Sequence, residues 1–258
     1  MVMTTKEVTS ELMQAYRSKQ PVEFIRHRYT LDEDTAYAVQ EEFVKQRCEL
    51  EKATVAGYKI SMTSDDTQAI AQTDEPAYGT LLTTDILTSG EHFSFDALFS
   101  PLVETEIIFI LTDDLTLEAS EEEILQKSTI AAGIEIPDSR YVDWFPNFSL
   151  ADLLSDNAAT GKVVVSKPMT PPDKKGLESI KMTLYHDNVS ISEGVSSEVL
   201  GNPVSAVAWL SRKLAKSQKP LKKGMHIASG TFIPPVRAEK GTFRASFSGL
   251  GDVDITFR

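Results

Sequence analysis

Two glutamates interrupt an otherwise apolar run in the segment S-P-L-V-E-T-E-I-I-F-I-L at 100–111. Its β-branched and aromatic residues predict a strand. Side chains two residues apart in a strand point to the same face, so Glu104 and Glu106 should lie side by side. The opposite face is apolar and carries Val103, Ile107 and Phe109. Because the run is apolar on both faces, we expect the strand to be covered on both sides.

Two carboxylates in a covered strand would be unstable on their own. They repel one another, and each costs free energy to remove from water. A bound divalent cation would offset both costs. The alternative is an exposed strand end that carries two solvated acids, and the pair Glu104 and Glu106 alone does not decide between these interpretations.

A third carboxylate, Glu135, stands in the apolar stretch A-A-G-I-E-I-P-D-S-R. Asp138 and Arg140 follow at once, and Arg140 could pair with either acid, so a salt bridge at a strand end is the alternative interpretation. Three carboxylates without a cysteine or histidine partner would suit a hard ion such as Mg²⁺ or Mn²⁺, with waters completing an octahedron.

Lys59 is a lysine inside the short apolar strand predicted for A-G-Y-K-I-S. Such a lysine often extends its ammonium to solvent while its stem lies on apolar surface. Beside a metal site it could instead orient an oxyanion or move a proton. A neighbouring cation should depress the pKa of its ammonium, which would suit proton transfer near neutral pH.

Composition excludes several classes of protein. The chain has 258 residues and a formal net charge of −12, so it should not bind nucleic acid. No apolar run approaches the ~20 residues of a membrane span, and we expect neither a membrane protein nor a secretory signal. The single cysteine, Cys48, forbids an intramolecular disulfide and fits a cytoplasmic location. Phosphate-loop, dinucleotide, nucleophile-elbow and H-E-x-x-H motifs are absent, and the four histidines show no metal-ligand spacing.

The order of predicted elements indicates the fold class. Helical periodicity fills the first fifty residues, where Thr5 would cap one helix and Thr30, with Glu33, a second helix that ends at Cys48. Further helices are predicted at 120–132 and 203–217. Strands are predicted mainly at 100–111, 162–166, 180–185 and 243–247. Helices followed by a strand-rich body favour α+β over a doubly wound sheet.

Together these segments resemble the 2-keto-4-pentenoate hydratase family within the fumarylacetoacetate hydrolase superfamily. The resemblance runs from T-L-D-E-D-T-A-Y-A-V-Q, near residue 30, to the C-terminus. The matching stretches include A-G-Y-K-I-S-M-T-S, D-E-P-A-Y-G, V-E-T-E-I-I-F-I-L, A-G-I-E-I-P-D-S-R-Y-V-D-W, G-N-P-V-S-A-V-A-W-L and F-S-G-L-G-D-V. The motif E-x-E is weak alone, but its order with I-E-I-x-D-S-R about thirty residues later is specific.

The resemblance implies a fold and a site. The fold would be a rolled mixed β-sheet, a catalytic domain over 53–258, preceded by a helical segment over 1–52. Glu104, Glu106 and Glu135 would ligate Mg²⁺ or Mn²⁺. Lys59 would be the active-site lysine, and the turn of Ser229, Gly230 and Thr231 would hold the substrate. Members commonly form dimers or larger assemblies, so a homo-oligomer is expected.

The implied activity is addition of water to a 2-hydroxy-2,4-dienoate, a small-molecule substrate that could chelate the ion through its carboxylate and C2 oxygen. Decarboxylation of 2-oxo-3-hexenedioate uses nearly the same residues and is the alternative. Hydrolysis of a carbon–carbon bond ranks third because no histidine lies in a matching motif, and a metal-binding relative without activity also stays open. Three departures leave the substrate open: Ala159 in S-D-N-A-A, the stretch I-A-S-G-T, and Phe232-Ile233-Pro234-Pro235 just after it.

Overall fold

The structure, a computed structural model, describes residues 2–258, with side chains described from Thr4 onward. Its helices are α1 (Val2–Ser18), α2 (Glu33–Glu51), α3 (Asp65–Ala71), α4 (Glu121–Gln126), α5 (Leu150–Ser155), α6 (Lys174–Glu178) and α7 (Pro203–Ala215). Its strands are β1 (Val55–Ser61), β2 (Ala77–Leu82), β3 (Ile86–Thr88), β4 (His92–Phe93), β5 (Leu102–Leu111), β6 (Ser128–Ile136), β7 (Lys162–Val165), β8 (Lys181–His186), β9 (Val189–Val195), β10 (His226–Thr231), β11 (Val236–Arg237), β12 (Gly241–Phe247) and β13 (Gly251–Phe257).

Two sheets form the body of the molecule. The larger runs in the order β2-β1-β10-β5-β6-β7-β3, with β11 also paired to β5. The strand β5 is central and pairs antiparallel with β10 and β6, whereas β1–β10 and β3–β7 are parallel pairs. The smaller sheet runs in the order β4-β13-β12-β8-β9. This mixed, curled sheet with its helices confirms the predicted α+β class.

The main apolar core lies between the two sheets. Alternate residues of β12, Phe243 and Phe247 among them, are buried in it, as the alternation of the sequence predicts. The face of β5 that carries Val103, Ile107 and Phe109 joins the same core. On the other face of the sheet, Ile108 packs in a smaller cluster with Leu81, Ala131 and Ala228. The strand is therefore covered on both sides, as expected.

A second apolar cluster attaches the N-terminal helices to the body. Leu12 of α1 and Phe43 of α2 share it with three aromatic residues that follow β6, namely Tyr141, Trp144 and Phe148. The division of the chain into segments 1–52 and 53–258 stays a prediction. Within the described residues, every helix is too short or too polar to cross a bilayer.

Several predicted boundaries are wrong. Helix α1 begins at Val2, ahead of Thr5. The side chain of Asp32, rather than Thr30, caps α2 by accepting a hydrogen bond from the Thr35 amide, and α2 continues past Cys48 to Glu51. The helix predicted at 120–132 ends at Gln126, because the residues from Ser128 onward pair with β5 as strand β6. Pairing with a central strand overrides the helical periodicity there.

Candidate active site

Three glutamates converge where β5 and β6 lie side by side. Glu104 and Glu135 are direct partners in the antiparallel ladder, and Glu106 lies two residues along β5 on the same face. One carboxylate oxygen from each of the three lies within 4.8 Å of the others. Glu106 and Glu135 are buried and Glu104 is half-buried, so the alternative of a solvated strand end is wrong.

Some of these carboxylate oxygens have no partner. Glu106 Oε2 accepts a hydrogen bond of 2.8 Å from the Gly230 amide, but Glu106 Oε1 and Glu135 Oε2 are buried without one. Burial, followed by the charge of Glu135, raises the pKa of Glu104 to about 8. The same causes raise the pKa of Glu106 well above its ordinary value. Unpartnered, crowded carboxylate oxygens are the donor set that a hard divalent cation prefers, so these residues fit a metal ion.

Lys59 reaches the same cluster from β1. Its ammonium lies 2.9 Å from Glu135 Oε1, its side chain is 3% exposed, and it donates a hydrogen bond to the Ser61 hydroxyl. Burial lowers the pKa of Lys59, but the charges of Glu135, Glu104 and Glu106 outweigh it and raise the pKa overall. From the sequence, we expect a depressed pKa for Lys59 beside a bound cation. The charge of such a cation would offset the charges of the glutamates, which raise the pKa of Lys59 in its absence. The alternative of a solvent-exposed lysine is wrong.

Arg140 pairs with neither of the acids expected from the sequence. Its guanidinium contacts the Asp156 carboxylate and donates to the carbonyls of Asp138 and Thr160. Glu135 is therefore not part of a salt bridge with Arg140 at a strand end. The side chain of Asp138 accepts instead from the amides of Phe99 and Ser100.

The segment Ser229–Thr231 is the end of strand β10 rather than an open turn. The pairing of β10 with β5 shifts register between Ala228 and Thr231. Thr231 lines a cleft that Lys59 and Glu104 also line. Gly230 has φ +118°, and a Cβ there would lie 2.3 Å from the Thr63 hydroxyl, so only glycine fits. Its amide is already bonded to Glu106. Ser229 is buried and does not line the cleft.

The cleft has walls that the sequence patterns do not indicate. An aromatic group follows β6, in which the ring of Phe145 lies 5.5 Å from that of Trp144 and 6.4 Å from that of Phe148. Met62, Ile70 and Leu153 line the same cleft. The aromatic run Y-V-D-W-F-P-N-F was the available signal, but it has no periodicity that assigns it to a cleft. No histidine or cysteine lines the cleft in the part of the chain that the structure describes.

Comparisons with known proteins identify relatives along nearly the whole chain. The 2-keto-4-pentenoate hydratase of Paraburkholderia xenovorans is 32% identical over 256 residues, which cover 98% of this chain and 94% of that protein. The 2-oxo-hept-4-ene-1,7-dioate hydratase of Escherichia coli is 31% identical over 258 residues, which cover 97% of this chain and 96% of that protein. No family model matches the chain.

A solved structure shares the fold. The 4-oxalocrotonate decarboxylase of Pseudomonas putida G7, complexed with magnesium and adipate, superposes with a TM-score of 0.91 at 21% identity. The match covers 100% of this chain and 98% of that one. At this identity the likeness supports the fold rather than a shared activity.

Proposed function

The chain belongs to the 2-keto-4-pentenoate hydratase family of the fumarylacetoacetate hydrolase superfamily, and from that premise we propose that it is a divalent-metal-dependent hydro-lyase. Its reaction would add water to a 2-hydroxy-2,4-dienoate and yield a 4-hydroxy-2-oxo acid. This proposal rests on the convergence of three glutamates and Lys59 beside one cleft, which Lys59 and Glu104 line.

In this proposal Glu104, Glu106 and Glu135 hold Mg²⁺ or Mn²⁺. When bound, the ion supplies a Lewis acid for the carboxylate and C2 oxygen of the substrate. Glu135 also positions Lys59, whose ammonium lies against its carboxylate. The Gly230 amide fixes Glu106, which keeps that carboxylate directed at the ion.

The overall change needs one water and three proton movements. The C2 hydroxyl gives up its proton, and C5 gains one. The hydroxyl group of the water bonds to C4, and the remaining proton goes to C3. Lys59 is the one ammonium that lines the cleft among the described residues, and we assign it to proton transfer at the C2 oxygen. The Thr63 hydroxyl lines the same cleft and can donate to the substrate carboxylate, whereas the Thr231 hydroxyl already donates to the Ile233 carbonyl.

The test uses 2-hydroxypenta-2,4-dienoate with Mg²⁺ or Mn²⁺. Loss of the dienol absorbance, with a product 18 mass units heavier and no release of CO₂, supports hydration. Release of CO₂ from 2-oxo-3-hexenedioate would support the decarboxylase alternative, which needs the same carboxylates. No change in either compound at saturating metal would refute both. A homo-oligomer and a cytoplasmic location stay predictions.

A further inference from the structure

We infer that the cleft accepts a dienoate whose tail is apolar and discriminates against one that ends in a second carboxylate. This inference deepens the proposed function and rests on it for the position of the reacting end. The glutamate cluster fixes the place of the first carboxylate, so the tail must extend along the remaining walls of the same cleft.

Those walls are mainly apolar. They include Met62, Ile70, Trp144, Phe145, Phe148 and Leu153, and their uncharged polar side chains other than Trp144 are the hydroxyls of Ser61, Thr63, Thr67 and Thr231. Met62, Ile70 and Phe145 are only half-buried, so they present free apolar surface to whatever enters the cleft. Covering such concave apolar surface is favourable for a hydrocarbon or aryl group.

Several polar side chains of these walls already have hydrogen-bond partners. Trp144 Nε1 donates to the Ser100 carbonyl at 2.8 Å, which leaves its ring as apolar surface. The Thr67 hydroxyl donates to the Ser64 carbonyl, and the Thr231 hydroxyl donates to the Ile233 carbonyl, each at 2.9 Å. Neutral hydroxyls of this kind cannot compensate the charge of a buried carboxylate.

A counter-charge for a second carboxylate is missing from the cleft. Lys59 is its one basic residue among those described, and its ammonium contacts Glu135 at the reacting end. The guanidinium of Arg140 is buried, pairs with the Asp156 carboxylate and donates to the Thr160 carbonyl. The exposed Arg237 donates to the Phe145 carbonyl and does not line the cleft. A carboxylate tail would therefore lose its hydration without gaining an ion pair.

A left-handed turn adds to the apolar wall. Asn157, Ala158 and Ala159 have φ of 53°, 51° and 52°, and Ala158 and Ala159 both line the cleft. Left-handed geometry is unfavourable for an alanine, so the turn must be held by its surroundings. The Asn157 side chain holds it by accepting from the Thr80 amide at 2.8 Å and donating to the Thr80 carbonyl at 2.9 Å. Two methyl groups are thereby fixed in the wall.

A binding experiment tests the tail preference without turnover. The probes are 2-oxohexanoate and 2-oxohexanedioate, which share the head and the chain length, and their affinities are measured by calorimetry with the Mg²⁺-loaded protein. We expect the monoacid to bind about tenfold or more tightly, since the diacid buries an unpaired charge. A phenyl-terminated 2-oxo acid should bind at least as tightly as the monoacid. Equal or tighter binding of the diacid would overturn the inference.

Two variants of one cleft-lining residue differ in whether they add a positive charge to the cleft wall. Ile70→Arg should raise the affinity for the diacid about tenfold relative to Ile70→Met, with the affinity for the monoacid lower or unchanged. Arg237→Gln should leave the discrimination of the wild type as it is. If Arg237→Gln weakens binding of the diacid alone, Arg237 is a tail partner and the inference is wrong.

Turnover separates this inference from the proposed function. Dienoates with an apolar tail should have a higher kcat/KM than dienoates with a carboxylate tail, the same order that the affinities of the 2-oxo acids should show. If no dienoate reacts while the calorimetric preference persists, the hydratase proposal fails and the apolar preference stands. If the carboxylate-tailed dienoate reacts fastest, the hydratase proposal stands and the inference about the tail is wrong.

Discussion

Glu104 and Glu135 face one another across the β5–β6 ladder, two like charges at directly opposed positions in the centre of the larger sheet. Directly opposed like charges destabilise a strand pair, and burial adds a cost of desolvation. The fold retains this pair and adds Glu106 beside it. An arrangement that costs stability without a cation and gains it with one is typical of a metal site.

We expect Glu106→Gln to abolish nearly all turnover while leaving the fold intact. Glutamine keeps the shape of the side chain but removes one charge from the cluster that we propose as the cation site. The same loss of repulsion should raise the melting temperature of the metal-free protein. The exposed Glu193 on β9 offers a matched control, and Glu193→Gln should change neither property. Wild-type turnover of Glu106→Gln at low Mg²⁺ would contradict the assignment.

The stability of the metal-free protein should fall as pH rises from about 4.5 to about 8. The pKa of Glu104 is raised to about 8 and that of Glu106 is also raised, so the folded state keeps protons that the unfolded state has lost. Stability decreases with pH wherever the folded state binds more protons. Melting temperatures measured in EDTA across this range test the sign, and saturating Mg²⁺ should remove most of the decline. A metal-free protein that becomes more stable over the same interval would contradict these pKa directions.

Lys59→Ala should lower kcat by about 10²-fold or more, the lower range for a general acid or base. Metal affinity should stay the same or increase, because the ammonium that contacts Glu135 is removed. Both quantities are measured in one preparation, with the exposed Lys175→Ala as control. An unchanged kcat would show that Lys59 is a structural residue. The same conclusion would follow if Lys59→Ala lost metal affinity but regained wild-type turnover at saturating metal.

Gly230→Ala should destabilise the protein and weaken metal binding. A Cβ at this position would lie 2.3 Å from the Thr63 hydroxyl, and any shift of the strand end moves the amide that fixes Glu106. Gly249 also has positive φ, +77°, but a Cβ there meets no atom within 4 Å. Gly249→Ala should therefore lower the free energy of unfolding by about 1 kcal/mol, through conformational strain alone. Gly230→Ala should lower it by clearly more. Equal unfolding free energies for the two variants would show that the contact with Thr63 is relieved at no cost.

The sequence predicted those parts of the site that depend on local pattern. Glu104 and Glu106 were recognisable because charge is expensive in a strand that is apolar on both faces, and the period of two places them together. The alternation of Phe243 and Phe247 is an equally local signal, and the structure buries both residues as predicted.

Features that depend on contacts between distant segments were not predictable from the sequence. The partner of Arg140 is Asp156, sixteen residues away, although two nearer acids fit as well on spacing alone. Strand β6 looks helical at Ser128 until it is placed beside β5. The cleft wall combines Met62 and Ile70 with Trp144 and Phe148, residues that no periodicity relates.

Mn²⁺ binding and hydration can be measured in the same samples. Protein stripped with EDTA is titrated with Mn²⁺, and bound ion is followed by electron paramagnetic resonance while the rate of 2-hydroxypenta-2,4-dienoate hydration is recorded. We predict that the two curves superimpose and saturate at one ion per chain. Glu106→Gln and Glu135→Gln should shift or abolish both curves together. Hydration by the stripped protein, or a binding curve that neither substitution alters, would contradict the assignment of Glu104, Glu106 and Glu135 as the ligands of a catalytic ion.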